Sequence, residues 1–375
     1  MVTISACTSR KDLKLLEQIP EILHHQDPCY IPPFPGTITK IFSPKGAFCQ
    51  RHGELFPYIA YKEGKPVGRI AAILNHTHND IHHENTGFFG FFDFVDDIQV
   101  AAALLDVVQT RFSKTGMNVL RGPFNPSINE ELGLLVEGFD RPPMVMMPYN
   151  PKYYLKIYDD LGLVKIRDLY AFYLSASVTE PERIHKIAER VRKSTGLHVR
   201  NVNMKRLQQD LRIIGKIYNE TLDRNWGFIP ITDEELDATA ADLKPIADPD
   251  FVFIAERWGE PVAFAVAIPN INELMGKAKS SKGWLRILRF LWYLKTKQVK
   301  EARLLLLGVR PQYRGQGIAA LFYSELLKQG KKKGLLGGEL SWLEETNTEI
   351  MKAASLLGGH KYKTYRIFEK PLVAV

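Results

Sequence analysis

The sequence predicts an α/β (α+β) fold built as two units in tandem, each a mixed, twisted sheet flanked by helices. Three observations predict it. A buried strand turns through glycines into a helix between Ala302 and Phe322. A hairpin pattern centred on Gly, and a helix-end pattern, each occur twice at a nearly constant offset. The chain has 375 residues, 45% hydrophobic and 25% charged, which is enough for two separate cores.

From Leu304 six apolar or small residues run unbroken, the pattern of a strand buried on both faces. The loop Gln312 to Gly317, "QYRGQG", follows. Gly315 and Gly317 allow the backbone to approach a ligand closely, and the first amides of the next helix point into the loop. Those amides, the positive end of the helix dipole, and Arg310 and Arg314 beside them favour a phosphate. The helix runs from Ile318 through Leu327 to the basic run Lys331 to Lys333, which suits its negative end. Neither Gly-x-Gly-x-x-Gly nor Gly-Lys-Ser/Thr is present.

On these residues the chain resembles the GNAT superfamily of acyl-CoA N-acyltransferases, whose pyrophosphate loop reads Gln/Arg-x-x-Gly-x-Gly/Ala. Gln312, Gly315 and Gly317 take those places after a strand ending in Val309. The resemblance implies splayed fourth and fifth strands in the second unit. It implies that the Val309 backbone faces pantetheine or the acyl oxygen, and that Gln312, Arg314, Gly315, Gln316 and Gly317 surround the pyrophosphate. Asn347, after the fifth strand Gly338 to Glu345, matches the family's Asn beside pantetheine. The implied cosubstrate is acetyl-CoA or a longer acyl-CoA.

The repeated hairpins are Glu63 to Asn75 and Trp258 to Asn270; the repeated helix ends are Tyr158 to Ile166 and Ala354 to Tyr362. Domains are expected at 1–178 and 179–375, the first without a pyrophosphate loop. After its fourth strand, Phe88 to Phe94, Asp96 and Asp97 stand where the second copy has Arg314 and Gly315. Carboxylates cap a helix well but repel a diphosphate. The helix Gln99 to Thr115 then serves as scaffold. His76, His78, His82 and His83, with Asp80 and Glu84, read as a polar loop between strands, and no metal is expected there. The Pro- and Asn-rich stretch Arg121 to Gly133, with Pro142 to Pro151, reads as a structural loop or as lining of an acceptor groove.

In the second half, Glu180 to Ser194 reads as a linker helix, His198 to Met204 as a first strand and Lys205 to Leu222 as a helix. Asp223, Asn225 and Trp226 follow, where the fold of the resembled family covers its acceptor site. Thr232 and Glu235 form a capping box. An insertion, 271–301, has no counterpart in the first copy. As a helix it gathers Trp284, Leu285, Ile287, Leu288, Leu291, Trp292 and Leu294 on one half, with Arg286, Arg289, Tyr293 and Lys297 opposite. Lys277, Lys279 and Lys282 precede it, and Lys295, Lys297 and Lys300 follow or end it. The basic stretch 282–300 suits an anionic membrane surface, with packing against its own domain as the alternative.

Attack on a thioester needs a deprotonated amine, a stabilised oxyanion and a proton for the departing thiolate. Glu344 and Glu345, at the end of the fifth strand, are candidate bases, with His360 as a further one. The resembled family places its acid, a Tyr, seven residues after the Asn, and that position here is Ala354. Either another group such as Tyr362 or Tyr365 protonates the thiolate, or no acid is needed, or this copy has lost catalysis. The expected activity is acyl-CoA-dependent N-acylation of a small-molecule or lipid amine, and the alternative is a non-catalytic CoA-binding or regulatory protein. The tandem layout, with "ELSWLEETN" and "YKTYR", resembles bacterial acyltransferases that include those of the sphingolipid pathway.

The formal charge of +8 suits acidic partners, but the basic residues concentrate in the insertion and no nucleic-acid motif is present. Three cysteines, Cys7, Cys29 and Cys49, make no Cys-x-x-Cys pair, which fits a reducing compartment. Arg10 and Lys11 precede any apolar run, and no 18 apolar residues occur in succession. A cytoplasmic location is expected, peripheral at the inner membrane if the insertion binds lipid.

Overall fold

A computed structural model describes residues 1–178, 180–193, 196–223, 225–281, 283–296 and 299–372. Ser194, Lys282 and Lys297, used above, lie outside these. The first half forms strands β1 (Val2–Ala6), β2 (Gly53–Lys62), β3 (Lys65–Asn75), β4 (Thr86–Phe94) and β5 (Val119–Gly122), then short β6 (Phe124–Asn125), β7 (Glu131–Leu132) and β8 (Leu134–Glu137). Its helices are α1 (Arg10–His24), α2 (Thr37–Ile41), α3 (Ala47–Arg51), α4 (His76–His82), α5 (Ile98–Ser113) and α6 (Tyr154–Asp160). Then come β9 (Val164–Ser175), β10 (Leu197–Asn201), β11 (Val252–Arg257), β12 (Glu260–Pro269), β13 (Glu301–Val309), β14 (Gly337–Glu344) and β15 (His360–Pro371). The helices among these are α7 (Glu182–Arg192), α8 (Leu207–Thr221), α9 (Asp233–Leu243), α10 (Asn272–Ala278), α11 (Gly283–Lys295), α12 (Ile318–Lys332) and α13 (Thr348–Leu356).

The two hairpins, β2–β3 and β11–β12, turn on paired left-handed residues, Glu63 with Gly64 and Trp258 with Gly259. Two positive φ values in succession match the twist of the flanking strands, so each turn ends on Gly. The repeated helix ends are likewise equivalent. Gly162 and Gly358 both have positive φ, with Leu163 donating to Tyr158 and Gly359 donating to Ala354.

The chain divides into two units, Met1–Asp168 with Lys363–Val375, and Leu169–Tyr362. This differs from the sequential halves expected at 1–178 and 179–375. β9 enters the second unit at Leu169 and there pairs with β14, while β15 returns to the first and pairs with β5 and β8. A tandem repeat read along the chain cannot reveal which copy its last strand completes.

In the first unit the sheet order is β1-β2-β3-β4-β5-β15. α5 packs its buried face, Val100, Leu104, Val108 and Phe112, into a core shared with Ile70, Phe89 and Phe94. β4 and β5 pair only from Thr86 with Val119 as far as Phe88 with Arg121, then part. The chain itself fills that gap: Asn125 Oδ1 accepts from the Phe91 amide at 2.7 Å, and a Cβ on Gly90 would lie 1.5 Å from the Phe124 carbonyl oxygen. Asp97 caps α5 at the Gln99 amide, 2.9 Å, and pairs with Lys62 at 2.7 Å. The histidine segment is the helix α4 rather than a loop. Asn75 caps it, and His78 packs against His82 while its Nε2 meets Glu84 at 3.2 Å and Arg121 at 3.3 Å.

In the second unit the order is β9-β14-β13-β12-β11-β10. One face is covered by α7 and α12 through Ala188, Val191, Ile318, Leu321 and Phe322. α8 covers the other through Ile214, Ile217 and Tyr218 against Ile254 and Phe264. The capping box of α9 forms as expected, Glu235 receiving the Thr232 amide at 2.8 Å.

Candidate functional site

β13 runs into a single turn, Pro311–Tyr313, and then into the two glycines. Gly315 and Gly317 have φ of +73° and +82°, a region in which a side chain is strained. At Gly317 space is short as well: a Cβ would sit 2.7 Å from Ile187 and 2.8 Å from Val191 of α7. Gly315 has nothing near it. The turn is therefore held from behind and open in front. Leu321 makes the first intrahelical bond of α12, to Gly317, so the amides of Ile318, Ala319 and Ala320 have no partner in the helix. These donors and the positive end of α12 face the same opening as Gly315.

The two arginines beside the loop have different roles. Arg310 pairs with two carboxylates, Glu220 at 2.8 Å and Glu260 at 2.5 Å. Arg314 bends back and donates to the carbonyls of Thr221, 2.8 Å, and Val309, 3.3 Å, which leaves its charge at the loop. Gln316 closes the turn, donating to the Gln312 carbonyl at 3.1 Å and accepting from Arg257 at 2.7 Å. Gln312 itself is exposed. Sequence reasoning missed Arg257, which also lies over the Tyr313 ring, because it is 59 residues from Gln316 and on another hairpin.

Below the loop the fourth and fifth strands of this unit separate. β13 pairs with β14 only from Glu301 to Leu304, whereas it follows β12 as far as Val309. Leu305 is an extra residue in that second ladder, a bulge that bends β13 away from β14. The Arg310 amide donates to Val262 of β12, so by alternation the Leu307 and Val309 amides turn toward the gap. At the end of β13, Gly308 admits α8 closely, since a Cβ would lie 2.8 Å from Thr221 Oγ1. The turn carrying Asp223, Asn225 and Trp226 starts there, the Asn225 amide bonding to Leu222. Three segments of the sequence thus meet at one mouth.

On the α8 face a buried polar row crosses the root of the gap. Arg303 and Glu339 stand opposite each other and are both buried. Ser341 links them, receiving Arg303 Nε at 2.8 Å and donating to Glu339 at 2.5 Å. Tyr362 donates to the other Glu339 oxygen. Tyr173 donates to Glu301 at 2.7 Å on the same row. Period-two spacing of Glu339 and Ser341 in an otherwise apolar strand was the available signal for this row. Glu344 and Glu345 lie at the open end of β14, where Glu344 receives Thr346 at 2.9 Å. Asn347 caps α13, its Oδ1 accepting from the Ile350 amide at 3.3 Å. Tyr365 belongs to the first unit and is fully buried. Ala354 is fully buried and packs in one cluster with Tyr323 of α12, whose phenol burial pushes up to about 12.

The insertion is the long turn of the β12–β13 hairpin. Asn270 donates to Glu301 at 2.8 Å, and Glu273 receives the Lys300 and Glu301 amides, closing its base. It forms α10 and α11, and α11 is turned opposite to the sense usual in a water-soluble protein. Arg286 and Phe290 are buried and Tyr293 is half-buried, whereas Trp284 is 68% and Trp292 58% exposed, with Leu285, Leu288 and Leu291 beside them. Arg286 satisfies itself on the carbonyls of Ser281 and Lys279. Arg286 and Tyr293, opposite the apolar half, are therefore on the packed side. Among the described residues no helix is long and apolar enough to cross a membrane.

The amides at the start of α12, the gap between parallel strands and the polar row at its root lie together in the second unit, and the first unit repeats the architecture with its gap filled. The chain belongs to the GNAT family: residues 216–356 match the acetyltransferase (GNAT) family. It is 34% identical to protein YghO of Escherichia coli (strain K12) over 97% of this chain and 94% of that one. It is 33% identical to a bacterial ceramide synthase of Caulobacter vibrioides (strain NA1000 / CB15N) over 96% and 95%. Among solved structures, a tandem GNAT protein from the clavulanic acid biosynthesis pathway superposes with TM-score 0.59 at 10% identity, covering 100% of this chain and 99% of that one. That likeness concerns the fold.

Proposed function

We propose that this protein transfers an acyl group from coenzyme A to the nitrogen of an amine carrying a long aliphatic portion, and that the reaction takes place in the second unit. The observation that carries the reading is the pairing of an open strand gap with helix amides at its mouth that have no intrahelical partner. Gly315, Gln316, Gly317 and the charge of Arg314 receive the diphosphate, Gln312 and Asn347 flank the cofactor, and the Val309 and Leu307 amides receive the pantetheine or the acyl oxygen.

The amine enters past Asp223, Asn225 and Trp226 on the α8 face. Its proton passes to a carboxylate, Glu339 at the root or Glu344 or Glu345 at the open end, and the Tyr362 phenol, held on Glu339, protonates the thiolate. Arg303 keeps Glu339 in place. The amine's lipid character is supported by the outward apolar face of α11 and by the name of the Caulobacter relative, since a ceramide is an N-acylated long-chain amine. In this reading α11 lies in an anionic membrane surface.

Fully buried Ala354 supports a second reading, a CoA-binding module without turnover. Calorimetry with CoA, followed by thiol release from acyl-CoA with short and long-chain amines, tests both. Binding with release only in the presence of a long-chain amine is expected. Binding with no release on any amine would select the module, and no binding at all would overturn both.

A further inference from the structure

A cavity of about 650 Å³ lies under the second half of α12, within the size range of ligand sites, roughly 300–1,000 Å³. Its surface is mainly apolar, with Leu174, Leu327 and Leu335 among the lining residues, and Glu180, Arg192 and Lys331 line it too. A pocket of this size, partly open to solvent and mainly apolar, suits a hydrocarbon occupant. Its position says which. The floor includes Leu304 and Leu340, and these form the last pair of β13 and β14 before the strands part. The cavity therefore begins where the gap ends. It also lies on the α12 face of the sheet, the same side as the glycine loop, since Leu304, Leu307 and Val309 all pack with α12.

We propose that this cavity holds the aliphatic chain of the acyl donor. The inference rests on the reading of the gap as the acyl-CoA site. A thioester at the root of the gap offers its carbonyl to the α8 face, while its chain turns back beneath α12. Gly330 fits this use. It is a helical glycine lining the cavity, and a Cβ there would find only Leu335, at 3.7 Å. A larger residue at 330 would enter the space without a backbone clash and with better helix propensity than Gly.

The test is calorimetry on the full chain with CoA, acetyl-CoA, octanoyl-CoA and palmitoyl-CoA, each below its micelle concentration. The expected result is an affinity that rises with chain length, by about four-fold per buried methylene, until the cavity is full. Gly330→Leu should abolish most of that rise and leave CoA and acetyl-CoA within two-fold; Leu327→Ala should shift the optimum to a longer chain. Thermal melts confirm that both variants fold. Binding of CoA without chain-length dependence, or an undiminished rise in Gly330→Leu, would overturn the cavity assignment while the acyl-CoA site stands. A rise lost instead in Trp284→Glu/Trp292→Glu would place the chain on α11, and a Gly330→Leu effect on long-chain amines alone would give the cavity to the acceptor. Absence of CoA binding would overturn the underlying site.

Discussion

Arg314 of the glycine loop donates to the carbonyl of Thr221, the last residue of α8, at 2.8 Å. One guanidinium thus joins the turn that receives the cofactor to the segment that leads to Asp223 and Trp226. Removing it takes away a charge from the loop and an anchor from the acceptor turn. Arg314→Ala is expected to weaken CoA binding about ten-fold, in line with a charge-assisted contact, and to raise the KM of the amine as well. Calorimetry and steady-state kinetics on both substrates check this. An effect confined to CoA would show that the two segments are not coupled.

The two glycines should respond differently. Both are strained by any side chain, at about 1–2 kcal/mol, but only Gly317 is also crowded by α7. Gly315→Ala should lower CoA affinity a few-fold; Gly317→Val should lower it at least a hundred-fold and reduce thermal stability. Equal effects at the two positions would mean that α7 does not seat the turn.

Tyr362→Phe removes a single hydroxyl from the row at the root of the gap. If that phenol protonates the thiolate, kcat falls about 10² or more while the affinity for acyl-CoA holds. Glu339→Gln should match it and should not add to it in the double variant. Glu344→Gln and Glu345→Gln provide the comparison. A loss larger there than at Glu339 would move the base to the open end of β14.

The outward face of α11 predicts binding to anionic vesicles that weakens with salt. Trp284→Glu with Trp292→Glu should release the protein from such vesicles in a sedimentation assay, without changing CoA affinity. Equal sedimentation with and without vesicles would count against the membrane role.

Burial lowers the pKa of His78 from its ordinary 6.5 to about 4, against the opposing pull of Glu84. The folded ring is neutral where the unfolded one binds a proton. Its contribution to stability is therefore complete above about pH 6.5 and is lost as the pH falls through about 4. The melting temperature of the wild type should drop between pH 7 and pH 4.5 by on the order of 5 °C more than that of His78→Gln. Parallel curves for the two proteins would remove His78 from the acid transition.

The hairpins, the capping box, the glycine loop and the helix behind it were all legible in the residues because each is decided within about ten positions of the chain. Turn glycines answer to local φ, and Thr232 reaches Glu235 across one helical turn. The fates of Arg310 and Arg314 were not legible. They are neighbours in sequence, yet one meets Glu220 and Glu260 and the other a helix end, and nothing local separates them. Tyr362 was named from the sequence, but its partners Arg303 and Glu339 escaped for the same reason, since strand register alone places them together.

What the sequence by itself determined is the tandem plan and a turn competent for a diphosphate, because short-range sterics and backbone hydrogen bonding specify both. Only the tertiary structure decided what fills the gap of the first unit, which unit each terminal strand completes, and which side of α11 faces outward. Those outcomes follow from side chains competing for burial and for partners far along the chain, a competition that no local pattern records.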